Sequence, residues 1–193
     1  MRRICVFCGS SDGDRGRYLE LARGMGRALA ERGLELVYGG GRLGLMGALA
    51  DAALDAGARV TGVIPRALVA RERAHERATE LHEVGSMHER KALMAELSDG
   101  FAALPGGMGT LEELAEALTW AQLGLHGKPC GVVDADGFFG PLIAFLDRST
   151  AEGFIRPEHR AMLLVAETPE ELLDAFATYR PPEVPKWIDV EEM

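Results

Sequence analysis

Five short apolar runs recur along the chain, near residues 3–8, 34–38, 58–64, 100–104 and 129–133, and each reads as a strand that is apolar on both faces. Between them lie stretches of helical period near 15–32, 44–56, 87–98 and 110–124. Strands buried on both faces and separated by helices specify a parallel sheet covered on each side. The predicted fold class is therefore α/β: a Rossmann-like, doubly wound parallel sheet with helices on both faces. In such sheets ligands bind beyond the carboxyl ends of the strands, so the residues just after each strand carry the functional information. Loops rich in glycine or serine fall there.

At 193 residues the chain can bury a core without disulfide or metal staples, and the expectation is a single Rossmann-like nucleotide-binding domain over 1–193. Pro181 to Met193, with three prolines and four acids, reads as a loose or surface-wrapping tail. The 21 Lys and Arg face 30 Asp and Glu, and a net charge of −9 argues against nucleic acid or an anionic membrane as partner, while leaving room for a local basic pocket. With no apolar run near the ~18 residues of a membrane span and no signal-peptide pattern after Met1, a cytoplasmic protein is expected. Cys5 and Cys8 form a CxxC inside a strand. Residues three apart on a strand point to opposite faces, so these are expected to be core thiols rather than metal ligands. The charge-dense run from Arg66 to Glu83 reads as a solvated face or mobile loop.

The strongest local signal is Leu104-Pro-Gly-Gly-Met-Gly-Thr-Leu-Glu-Glu113, which ends a strand and opens a helix. Gly106, Gly107 and Gly109 remove side chains where the chain turns, so backbone N–H groups can face an anion. Thr110 is the expected N-cap, and the helix N-terminus adds positive potential. The helix should bury Leu111, Leu114, Ala115, Leu118 and Leu125, leaving Glu112 and Glu113 off the core side. A carboxylate beside a phosphate loop is worth its repulsion chiefly if positive charge develops on the substrate, as on a ribosyl oxocarbenium ion, and this singles out Glu113.

A second loop, Tyr38 to Gly47, contains a formal GxGxxG at Gly39, Gly41 and Gly44. The following strand, Arg59 to Pro65, lacks the acid a dinucleotide site needs for its ribose, which disfavours a dehydrogenase. Gly40 and Gly41 are instead expected to approach a smaller nucleotide, and Ser10 in Cys8-Gly-Ser-Ser11 to form a further wall. In Ser86-Met-His-Glu-Arg-Lys91, Arg90 shares a helical face with Met87, Leu93 and Met94, so its guanidinium rises from apolar surroundings and needs a carboxylate or ligand phosphate beside it. Lys91 could assist it; His88 reads as a structural residue.

Together these motifs resemble the Lonely Guy (LOG) family of cytokinin riboside 5′-monophosphate phosphoribohydrolases, often labelled lysine decarboxylase-like. PGGxGTxxE is matched by Pro105, Gly106, Gly107, Gly109, Thr110 and Glu113, and the Met-His-x-Arg-Lys block by Met87, His88, Arg90 and Lys91. Agreement extends to residues 6–11, 38–47, 62–65 and 119–124. The resemblance implies hydrolysis of the N-glycosidic bond of adenine or N6-prenylated adenine nucleoside 5′-monophosphates, without a cofactor or metal, by a homodimer. It implies Arg90 and Glu113 as the catalytic pair, and Glu72, Met87, Lys91, Thr119 and the segment Gly107, Met108, Gly109, Thr110, Leu111, Glu112 and Glu113 as substrate contacts. The apolar helix end around Trp120 and Leu123 is a candidate dimer surface. One rival is a non-catalytic carrier of a nucleotide or of molybdenum cofactor on the same fold. The other is a true lysine decarboxylase, which needs a Schiff-base lysine for pyridoxal phosphate, and neither Lys128 nor Lys186 has the context for one.

Overall fold

The computed structural model describes residues 1–14 and 16–182, so the predicted tail lies, beyond Pro182, outside the described residues. The elements are β1 (Arg3–Phe7), α1 (Gly16–Glu31), β2 (Glu35–Tyr38), α2 (Gly44–Asp55), β3 (Val60–Pro65), β4 (Glu80–Val84), α3 (Met87–Leu97), β5 (Gly100–Ala103), α4 (Met108–Gln122), β6 (Cys130–Val133), α5 (Gly140–Ala151), α6 (Pro157–Arg160), β7 (Leu163–Ala166) and α7 (Pro169–Thr178). The strands form one seven-stranded sheet in the order β4-β3-β2-β1-β5-β6-β7, with every pairing parallel.

Alternate side chains of the central strands enter two separate cores. Ile4, Val6, Leu36 and Tyr38 pack with residues of α1, α2 and α7, whereas Cys5, Phe7, Val37 and Phe101 pack with residues of α3, α4 and α5. Helices thus cover both faces, as the doubly apolar strands require. Cys5 and Cys8 belong to opposite cores, and all three cysteines are free and buried. No described helix is long and apolar enough to cross a membrane.

Three departures from the predicted elements have physical causes. β4, Glu-Leu-His-Glu-Val, is an edge strand with its glutamates exposed, so it lacks the two-sided apolar signature, and it turns the end of the supposed mobile run into sheet. α7 is set by a capping box between Thr168 and Glu171 with Pro169 at its start, a local signal that lies past the last predicted strand. α4 begins at Met108 with Gly107 as N-cap, so Thr110 is not the cap; it occupies the first turn and is buried. The buried stripe is consequently Thr110, Leu114, Ala117 and Ala121, while Leu111 and Leu125 are exposed.

Candidate active site

The chain fills one side of the sheet from β1 to β4 and then returns to place β5 beside β1, so strand order reverses between β1 and β5. Loops leaving the carboxyl ends of these two strands diverge there. Between them opens a cavity of about 310 Å³, within the range typical of small-ligand sites. One wall carries Ser10, Glu72, Met87 and Arg90; the other carries Gly107, Met108, Gly109, Thr110, Glu112 and Glu113.

Arg90 is buried on α3, whose start is capped by Ser86 accepting from the Glu89 N–H. Its Nε donates to the Val63 carbonyl at 3.1 Å and its Nη2 to the Gly39 carbonyl at 3.0 Å, while Glu72 Oε2 lies 4.0 Å from Nη2. The anion predicted beside Arg90 is therefore Glu72, helped by two strand-end carbonyls. Nη1 has only the Met87 sulfur, at 3.8 Å, leaving that edge of the guanidinium to face the cavity. Gly39 lines the cavity, although in the sequence it stood only as the first glycine of the GxGxxG loop; Met46 and Leu68 also line it and carried no sequence signal as site residues. A Cβ on Gly39 would overlap Arg90 Nη2 and stand 3.1 Å from Cζ, so the glycine makes room for the arginine.

Across the cavity, no described side chain caps α4, and the residues whose N–H groups lack intrahelical partners at a helix start, Met108, Gly109 and Thr110, line the opening. A Cβ at Gly107 or Gly109 would meet no protein atom within 4 Å, whereas one at Gly106 would overlap the Thr110 hydroxyl. Gly106 thus lets the helix start pack down, and the other two leave open space above it. Burial pushes the Glu113 carboxyl up to about 7; Arg90 opposes that rise, and Glu112 and Glu72 add to it. Such a carboxyl changes charge within the physiological range, as an acid-base or cation-stabilising group requires.

The remaining predicted contacts lie elsewhere. Lys91 does not line the cavity: its ammonium pairs with Glu112 and, at 3.1 Å, with Glu116, and the Glu112 carboxylate above all holds it above the usual lysine range. Leu111 and Thr119 lie outside the lining, the Thr119 hydroxyl donating to the Ala115 carbonyl at 2.7 Å. Gly40 and Gly41 stand behind the wall: a Cβ on Gly40 would press on Ile64 and Leu81, and Gly41 forms a β-bridge with Ala74. Cys8 does line the cavity, but burial pushes its thiol far up, which suits a wall rather than a nucleophile. His88 is exposed.

A family model described as "Possible lysine decarboxylase" matches residues 46–176. The cytokinin riboside 5′-monophosphate phosphoribohydrolase LOG3 of Arabidopsis thaliana is 49% identical over 180 residues, 93% of this chain and 84% of that protein. The enzyme of the same name, LOG, from Oryza sativa subsp. japonica is 49% identical over 180 residues, 93% of this chain and 74% of its own length. Among solved structures, the molybdenum cofactor binding protein from the phototrophic bacterium Rippkaea orientalis superposes with a TM-score of 0.69 at 22% identity, covering 92% of this chain and 99% of its own. The molybdenum cofactor carrier protein of Chlamydomonas reinhardtii gives 0.66 at 22% identity, covering 90% and 94%. Likeness at that identity shows a shared fold and nothing about ligand.

Proposed function

This chain belongs to the LOG family of cytokinin riboside 5′-monophosphate phosphoribohydrolases, and on that premise we propose that it hydrolyses the N-glycosidic bond of an adenine or N6-modified adenine nucleoside 5′-monophosphate, releasing free base and ribose 5-phosphate. One observation carries the reading: an uncapped helix start and a half-buried carboxyl, pushed up to about 7, share a cavity at the strand-order reversal. The 5′-phosphate sits on the N–H groups of Met108, Gly109 and Thr110, where dipole and free donors favour an anion. Glu113, ionised, faces C1′, stabilises the ribosyl cation as the C1′–N9 bond breaks, and accepts a proton from the attacking water; the oxygen of that water bonds C1′ and the departing base takes up a proton. Arg90 is held by Val63, Gly39 and Glu72, so its free edge orients ribose or phosphate without reorganising.

A decarboxylase does not fit these residues. Lys91 is spent on Glu112 and Glu116 and Lys128 donates to the Ala95 carbonyl at 2.8 Å, and neither lines the cavity. Lys186 lies outside the described residues. The working unit is a cytoplasmic homodimer in this reading, supported by the exposed apolar side chains Leu111, Leu125, Phe145 and Phe154. Glu113→Gln tests the chemistry: adenine release from AMP should fall by at least about 10²-fold while AMP still binds by calorimetry. Turnover retained in that variant removes Glu113 from its role.

A further inference from the structure

Glu72 reaches the cavity from residues 66–79, a segment with one short turn at Arg66–Leu68 and no strand or longer helix before β4. Its Oε2 is buried and accepts no hydrogen bond, so only the long ion pair with Arg90, at 4.0 Å, acts on that oxygen. Position must come from the segment behind it. Five consecutive residues, from the last of β2 through Arg42, supply that position. Tyr38 lies edge-on to the His75 ring, with centroids 6.5 Å apart. The Gly39 carbonyl accepts from Arg90, the Gly40 carbonyl accepts from the His75 N–H at 2.9 Å, and Gly41 bridges Ala74. The Arg42 N–H also donates to the Glu72 and Arg73 carbonyls, at 3.1 and 2.9 Å. One stretch of chain therefore grips Arg90 with one residue and the Glu72 segment with its neighbours.

His75 is the only side chain of this segment to be fully buried, at 1% exposed. Its Nε2 stands 3.4 Å from Asp51 Oδ1 on α2. Asp51 is itself held by Arg77, whose two Nη atoms reach Asp51 Oδ1 and Asp55 Oδ1 at 2.6 Å each. Burial, with Arg42 and Arg77 adding to it, holds the imidazole below its usual range against the pull of Asp51, so a neutral ring fills the space between Tyr38 and α2.

We infer that His75 is a positioning residue for the hydrolysis proposed above: its buried ring pegs residues 66–79 between Tyr38 and Asp51, and so sets Glu72 against Arg90. The inference rests on that activity for its kinetic arm and has a second arm that does not. In the first, a double-mutant cycle with AMP compares His75→Ala, Glu72→Gln and the pair. His75→Ala should lower kcat/KM on the order of 10²-fold, as a 1 Å misplacement does, yet cost nothing further in the Glu72→Gln background. Losses that multiply overturn the inference, because His75 then acts on the fold at large. In the second arm, limited trypsin digestion follows cleavage after the exposed Arg71 and Arg73. His75→Ala should raise that rate at least about tenfold, and more than it raises cleavage elsewhere in the chain, reporting release of the segment; a rate that rises no more than cleavage elsewhere also overturns the inference. If the wild-type protein leaves AMP intact, the proposed activity fails while the digestion still reads the peg. His75→Leu, which keeps a buried side chain but loses Asp51, replaces the alanine variant if that one does not fold, and the same two results are expected of it.

Discussion

Gly39→Ala is the sharpest perturbation the site offers, because its effect is steric and aimed at one group. The φ of Gly39 lies outside the left-handed region, so alanine is compatible with the backbone. The added methyl, however, would overlap Arg90 Nη2 and stand 3.1 Å from both Cζ and the Met46 sulfur. Arg90 is buried, 6% exposed, and cannot swing into water without leaving α3's packed face. It must therefore give up its 3.0 Å bond to the Gly39 carbonyl. A hydrogen bond from a charged donor contributes about 1.5–3 kcal/mol. If that energy serves to hold the guanidinium for the transition state, kcat/KM for adenine release should fall by about 10- to 150-fold at 1.36 kcal/mol per decade. The same loss should lower Tm by about 3–12 °C, at roughly 2–4 °C per kcal/mol for a chain of this size. The assay is initial-rate adenine release from AMP beside a thermal melt of the same preparation. A wild-type kcat/KM in a folded Gly39→Ala protein would refute the idea that the Gly39 carbonyl holds Arg90 in its working position.

Gly109→Ala should act with the opposite sign on stability. No protein atom opposes its methyl, so the free energy of unfolding should hold or rise by the roughly 0.5–1 kcal/mol that alanine gains over glycine in a helix, whereas KM for AMP should rise by about tenfold or more as the methyl enters the phosphate's space; an unchanged KM would move the phosphate elsewhere. Glu113 sets two pH dependences. Because burial raises its folded pKa to about 7, its favourable contribution to stability is complete below the unfolded value of 4.5 and is lost as pH rises through 7. Glu113→Gln should therefore melt higher than wild type at pH 8.5 and alongside it at pH 5, and equal melting at both would show that the carboxyl is not buried as described. The ionised form is the one the chemistry uses, so kcat/KM should climb through an inflection near pH 7, and Glu72→Gln, which removes one of the negative charges raising that pKa, should slide the inflection to lower pH. An inflection that stays in place would belong to the substrate phosphate, which titrates near 6.

Local repetition is what the sequence states most clearly. Apolar runs with no polar face can only be strands covered twice, and residues 3–7, 35–38, 60–65, 100–103 and 130–133 became such strands. Glycines placed after strands mark where the backbone must stay bare: Gly39, Gly107 and Gly109 line the cavity, and Gly106 lets Thr110 pack beneath it. The spacing around Arg90 also identifies an inward-facing cation, because neighbours at i−3, i+3 and i+4 share its helical face. These are one-dimensional facts, fixed by periods of two and 3.6 residues.

Which groups meet across the sheet is a different kind of fact. Arg90 takes its partners from Val63 and Gly39, 27 and 51 residues away, because β3 and β2 lie side by side in the sheet order. Lys91, one residue further on, leaves the cavity wall and meets Glu112 and Glu116 on α4, so adjacent cations in the sequence end in different surroundings. The start of α4 likewise rests on a glycine cap that carries no side-chain signature and lies three residues before Thr110, and packing against the sheet, not the cap, leaves Leu111 outside. Chain periodicity sets which way a side chain faces from its own element; only strand order and helix packing decide what it faces.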